Sequence, residues 1–101
     1  MTTPAKLVQH LLTKFATKSR WCTGTYALNE VSQGAHPTSR SARQWCISGA
    51  IEAAEFPKET KSAVEEVLRK ISKMPLPVYN DSLDWKGLQR WLLEAKRRVG
   101  P

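Results

Sequence analysis

The sequence has very few acidic residues in its first half. Residues 1–51 contain six lysines and arginines but a single acid, Glu30, whereas residues 52–101 contain ten basic and eight acidic side chains. Most of the net charge of +7 therefore belongs to the first half of the chain. A bias of this kind indicates association with an acidic partner, either a protein surface or nucleic acid, and does not bear on the fold.

Long apolar runs are also missing. No stretch approaches the roughly 18 apolar residues that a membrane span requires. Residues 6–18 alternate charged and apolar side chains instead of forming the apolar core of a secretory signal. We therefore expect a soluble, cytoplasmic protein with no membrane partner. In such a compartment Cys22 and Cys46 are expected to be free thiols, because cytosolic disulfides are rare.

Signatures of metal binding and catalysis are scarce as well. A zinc site usually includes a close pair such as Cys-x-x-Cys, but the two cysteines and the two histidines, His10 and His36, are scattered. The sequence has no phosphate-binding glycine loop and no nucleophile elbow. We predict no metal, no cofactor and no enzymatic activity. A cysteine-dependent enzyme remains the third functional hypothesis, because spacing alone does not show whether Cys22, His36 and Asp81 converge.

Hydrophobic periodicity predicts a mainly α fold, a compact single domain that spans residues 1–101. The four predicted helices cover about residues 4–20, 38–54, 57–74 and 82–99. Thr3 is the expected cap of the first helix, and Asp81 or Ser82 the expected cap of the last. The second helix should lie at the centre, because Cys46, Gly49 and Ala50 form a small-residue stripe that lets a neighbouring backbone approach closely.

Residues 21–38 interrupt the helical period. Gly24, Asn29, Gly34 and Pro37 are typical turn residues. This irregular segment between the first and second helices is expected to contain either a short hairpin through residues 25–28 or a structured loop.

Two similar short segments contain both cysteines and two of the four tryptophans. They are Trp21-Cys22-Thr23-Gly24 and, from Arg43, Arg-Gln-Trp-Cys-Ile-Ser-Gly-Ala, and an Asn80-Asp81 pair precedes the last predicted helix. In this order they resemble a family of small phage and actinobacterial proteins that has no established activity. Gln44 between Arg43 and Trp45 departs from the family's Arg-Trp-Cys pattern, as does Tyr79, where the family tends to have tryptophan. The resemblance implies a phage or prophage origin and assigns no catalytic residue.

The unbalanced charge lies on the outer faces of the first and last predicted helices. The first helix has basic side chains at i, i+4 and i+8, and the last has a basic outer face from which a leucine also projects. The predicted partner-binding residues are Lys6, Lys14, Lys86, Arg90, Leu93 and Arg97.

These observations favour a small, basic binding protein without enzymatic activity, and the phage origin that the resemblance implies would place it in the host cytoplasm. The expected partner is an acidic surface on a host protein or nucleoprotein assembly, including defence machinery. The alternative is a protein that binds nucleic acid nonspecifically through its phosphates. No feature of the sequence fixes the oligomeric state.

Overall fold

Three long helices build the core of the protein. The computed structural model describes residues 3–100, and these form five helices and two strands. The helices are α1 (Pro4–Lys14), α2 (Ile47–Ala53), α3 (Lys58–Ser72), α4 (Leu76–Ser82) and α5 (Trp85–Val99), and the strands are β1 (Ala27–Asn29) and β2 (Ala42–Trp45). The mainly α fold is confirmed, whereas the predicted number of four helices is wrong.

The core lies where α1, α3 and α5 pack against one another. Their apolar residues recur every three or four positions, so each helix buries one face. The fully buried residues on these faces are Leu7, Val8, Leu11, Val64, Leu68, Leu88, Leu92 and Ala95. Within the described part of the chain, no helix is both long and apolar enough to cross a membrane.

The predicted second helix is wrong over its first half. Residues 42–45 form β2, which pairs antiparallel with β1 in the register Ala27↔Trp45 and Leu28↔Gln44. Only Ile47–Ala53 is helical, and Cys46 is its N-cap, with Sγ accepting a hydrogen bond of 3.3 Å from the backbone N–H of Gly49. Pairing with a strand distant in sequence overrides the local helical periodicity here.

The small-residue stripe on α2 is nevertheless buried, as predicted. Cys46, Gly49 and Ala50 are all buried. A Cβ atom added to Gly49 would overlap the backbone carbonyl oxygen of Tyr26, which itself accepts a hydrogen bond from the N–H of Cys46. Glycine is therefore required for the close approach of α2 to the segment before β1.

The boundaries of the other predicted helices also change. The first helix ends at Lys14 rather than near residue 20, and a separate 3-10 turn covers Lys18–Arg20. The expected cap of α1 is confirmed, since Thr3 Oγ1 accepts from the N–H of Lys6 at 3.2 Å.

The expected cap of the last helix is wrong. Asp81 and Ser82 lie in the final turn of α4, and α5 is capped by Asp84, whose Oδ1 accepts from the N–H of Gly87 at 2.7 Å. The third helix ends at Ser72, close to the predicted residue 74, and the Met74-Pro75-Leu76-Pro77 segment that follows its C-cap also starts α4. Proline is compatible with the first turn of a helix, because the N–H that it lacks has no intrahelical partner there.

Candidate functional site

The segments that carry the family resemblance meet at one side chain, Asn80. This residue is fully buried. Its Oδ1 accepts hydrogen bonds from Trp21 Nε1 at 2.8 Å and from the backbone N–H of Ile47 at 3.1 Å. Its Nδ2 donates to the carbonyl oxygen of Cys22 at 3.2 Å and to Asp81 Oδ1 at 3.1 Å. A side-chain amide offers two donors and two acceptor positions, so Asn80 is fully satisfied.

We call Asn80 and its four hydrogen-bond partners, Trp21, Cys22, Ile47 and Asp81, the Asn80 junction. Asp81 is the exposed member of this junction. Its Oδ1 also accepts a hydrogen bond of 2.9 Å from the N–H of Gly24. Gly24 has a φ of 81°, a left-handed conformation that favours glycine. The Trp-Cys-x-Gly turn, the start of α2 and the end of α4 are therefore held together by one Asn-Asp pair.

Both thiols lie inside the fold and are free. The Sγ of Cys22 contacts the carbonyl oxygen of Thr25 at 3.7 Å, a partner that accepts a hydrogen bond but removes no proton. Burial, followed by the charges of the nearby Cys46 and Asp81, raises the pKa of Cys22 to about 11. Burial also raises the pKa of Cys46. A thiolate, the reactive form of cysteine, is thus disfavoured at both positions at neutral pH.

The histidines take other roles. The Nδ1 of His36 lies 2.6 Å from Thr38 Oγ1, and no hydrogen bond in the described part of the chain joins His36 to Cys22. The ring of His10 packs against Phe56, with 5.8 Å between the ring centroids, and burial followed by the charge of Lys14 lowers its pKa. Residues 3–100 contain no group of three His, Cys, Asp or Glu side chains suited to a metal ion.

All four tryptophans contribute to the fold through their indole N–H groups. Each indole N–H donates a hydrogen bond to an acceptor elsewhere in the protein. The pairs are Trp21 with Asn80 Oδ1 at 2.8 Å, Trp45 with the carbonyl of Pro37 at 2.9 Å, Trp85 with that of Phe15 at 2.8 Å, and Trp91 with that of Leu68 at 3.1 Å. A platform for stacking exposed bases therefore has no obvious member among them.

The outer face of α5 differs from this satisfied interior. It carries Lys86, Arg90, Leu93 and Arg97, here called the α5 stripe, which are all exposed. Their spacing of four, three and four residues places them opposite the buried Leu88 and Ala95. Lys86 and Arg90 have no ion-pair partner among residues 3–100, and Leu93 is 54% exposed.

Arg97 is less free than the rest of the stripe. It forms an ion pair with Glu94, which also accepts from Arg98 Nε at 2.8 Å. Hydrogen bonds from Arg97 and then Arg98 lower the pKa of Glu94 to about 2. The charge of Arg97 is thus partly balanced, so the unpaired charge of the stripe lies at Lys86 and Arg90.

The basic residues of α1 also differ in how freely they are exposed, as those of the α5 stripe do. Lys6 is exposed, whereas the ammonium of Lys14 lies 3.9 Å from the centroid of the Trp45 ring in a cation–π contact. Burial and then the charge of Arg20 lower the pKa of Lys14. Lys96 on α5 donates to Gln9 on α1 at 3.1 Å, so one exposed hydrogen bond joins the two helices.

A groove that the sequence does not predict lies on another part of the surface. It has a volume of about 500 Å³ and is lined by Tyr26, His36, Pro37, Ser48, Glu52 and Glu65. An adjoining depression of about 320 Å³ shares Ser48 and Glu65 and adds Arg69, Pro75, Leu76 and Pro77. We call the first of these the Glu52/Glu65 groove. Its residues come from separate segments of the chain, so no local sequence pattern indicates it.

No family model, curated protein or solved structure matches the chain. The resemblance to phage and actinobacterial proteins therefore stays a prediction.

Proposed function

We propose that this chain is a non-enzymatic binding protein whose α5 stripe, together with the exposed Lys6 of α1, engages an acidic surface on a protein or nucleoprotein assembly. The observation that carries the proposal is an exposed leucine next to two unpaired cations. Leu93 is 54% exposed, and Lys86 and Arg90 precede it on the same helical face without an ion-pair partner in residues 3–100.

This combination suits a protein surface better than bare nucleic acid. An apolar centre with a polar rim is typical of protein interfaces, and a leucine gains little from a phosphate backbone. Arg90 adds a planar guanidinium that can hold a carboxylate with two hydrogen bonds. With the phage origin that the family resemblance implies, the expected partner is a host assembly, with defence machinery among the candidates.

Nonspecific nucleic-acid binding remains the alternative. It is supported by α1, which has no acidic residue, and by the absence of any acid before Glu30. A cysteine-dependent enzyme has weaker support, because burial raises the pKa of Cys22 to about 11 and its thiol contacts a backbone carbonyl.

A stripe variant tests the proposal. It carries Lys86→Gln and Arg90→Gln, which remove two exposed charges and leave Leu93 in place. A tagged wild-type protein is used to capture a partner from host lysate, and the purified partner is then titrated with both proteins. We expect at least about tenfold weaker binding by the stripe variant, the loss that corresponds to about 1.4 kcal/mol. Unchanged affinity for that partner would contradict the proposal.

The matched control carries Glu59→Gln and Glu66→Gln on the exposed side of α3. It also alters two exposed charges, but far from the stripe in sequence and on a different helix. Nonspecific nucleic-acid binding is tested by titrating the protein with a short DNA duplex of random sequence at low and at physiological salt. Tight binding with a steep loss of affinity as salt rises would favour the nucleic-acid function.

A further inference from the structure

The Glu52/Glu65 groove holds unpaired negative charge in a protein with an excess of positive charge. The chain has sixteen lysines and arginines, yet among the described residues neither type lines this groove. Neither Glu52 nor Glu65 has an ion-pair partner in the part of the chain that the structure describes. Lys61 comes near, but it donates to the backbone carbonyl of Glu52 at 2.9 Å. Both carboxylates are therefore available to a cation from outside.

We infer that the groove binds the α5 stripe of a second copy of this chain. The two surfaces are complementary in charge, since within residues 3–100 Lys86 and Arg90 lack acidic partners and Glu52 and Glu65 lack basic ones. They are also complementary in their apolar parts. Leu93 and the Tyr26 side chain of the groove are each 54% exposed. Two pairs of opposite charges around an apolar contact are typical of a specific interface.

This contact joins different surfaces of the two copies. Each copy keeps a free stripe at one end and a free groove at the other, so the association is head-to-tail and extends unless its rotation closes a ring. This inference rests on the proposed function, because both use the exposed α5 stripe. Self-association would therefore compete with the acidic partner for that stripe.

Salt alone does not test this contact. Added salt weakens the attraction between stripe and groove, but it also screens the repulsion between copies that each carry a net charge of +7. Neutral substitutions that disable one surface at a time test the contact between stripe and groove more directly than salt does. The stripe variant, Lys86→Gln with Arg90→Gln, keeps its groove, and a groove variant, Glu52→Gln with Glu65→Gln, keeps its stripe.

The measurement is sedimentation velocity over a range of protein concentrations, with circular dichroism to verify that each variant folds. We expect the wild-type protein and the Glu59→Gln/Glu66→Gln control to associate with increasing concentration. Each of the other two variants alone should associate at least about tenfold more weakly. In an equimolar mixture, the intact stripe of the groove variant should bind the intact groove of the stripe variant in a one-to-one complex. This complex should not grow further, because the other stripe and the other groove carry the substitutions.

Two results would overturn the inference. One is a wild-type protein that stays monomeric at every concentration. The other is self-association in which mixing the two variants restores nothing, since that pattern belongs to a symmetric interface. The proposed function is assessed separately by the groove variant. If it keeps its affinity for the captured acidic partner but does not self-associate, both proposals hold; if it self-associates like wild type, only the inference fails.

Discussion

The Asn80 junction and the α5 stripe are opposites in composition and in role. The junction uses uncommon residues such as tryptophan, cysteine and asparagine, and the hydrogen-bonding groups of Asn80 are all occupied. The stripe uses common surface residues, and Lys86 and Arg90 are left without an ion pair in residues 3–100. Distinctive sequence motifs can therefore mark a structural junction, whereas the charges left unpaired within the described residues are the ones that we propose for binding.

The largest effect on stability is expected for Asn80→Ala. It leaves the N–H groups of Trp21 and Ile47 and the carbonyl of Cys22 without their partner in a buried site. Each unsatisfied buried group costs about 1–3 kcal/mol, so we expect a loss of roughly 3–5 kcal/mol in the free energy of unfolding, measured with urea. Asn29→Ala, which removes hydrogen bonds from an exposed turn, is the control and should cost far less.

The next largest effect is expected for Gly49→Ala. A Cβ at this position overlaps the carbonyl oxygen of Tyr26, so α2 and the segment before β1 must move apart. Overpacking of this kind costs about 1–3 kcal/mol. Gly34→Ala is the matched control, since a Cβ there has no neighbour within 4 Å. If the two variants melt at the same temperature, the close approach at Gly49 has no energetic importance.

A smaller loss in the free energy of unfolding is expected when either of two aspartates is replaced by alanine. Asp84→Ala removes the N-cap of α5 and should lower the free energy of unfolding by about 0.5–2 kcal/mol. Asp81→Ala removes a hydrogen bond to Gly24 and one to Asn80 at the edge of the junction. We expect both variants to lose stability and to keep partner binding. Abolished binding by Asp81→Ala in a stable protein would instead make the Asn-Asp pair a functional site.

The sequence predicts the parts of this fold that depend on local patterns. The inner face of α5 follows from the spacing of Leu88, Trp91 and Leu92, and the cap of α1 follows from Thr3 and Pro4. The strand at residues 42–45 cannot be predicted from a local pattern, because it forms by pairing with β1, which lies some fifteen residues earlier.

The same distinction holds for the candidate surfaces. One helical period is enough to place Lys86, Arg90 and Leu93 together, so the stripe could be found from sequence. The ion pair of Arg97 with Glu94 and the contact of Lys14 with Trp45 could not be assigned among competing neighbours. The Glu52/Glu65 groove needs α2, α3 and the loop around His36 to be assembled first.

The buried thiol of Cys22 predicts a modest dependence of stability on pH. Its pKa is raised from 9.0 to about 11 in the folded protein, so folding favours the protonated thiol. The resulting stability is present below pH 9 and is lost as the pH rises from 9 towards 11. Denaturation of wild type and Cys22→Ala across this range should show a steeper loss for wild type. The thiol should also react slowly with a disulfide reagent at neutral pH, and fast reaction would revive the cysteine-enzyme hypothesis.

The smallest effect on stability is expected at the α5 stripe. Lys86 and Arg90 are exposed and unpaired within residues 3–100, and surface charges contribute little to folding, so their double replacement by glutamine should change the free energy of unfolding by less than about 0.5 kcal/mol. Leu93→Ser should be similarly mild, because the side chain is already 54% exposed. Both changes should weaken partner binding, and measuring unfolding and affinity on the same samples tests the contrast. A stripe variant that loses stability but keeps its affinity would show that this face, like the Asn80 junction, serves the fold.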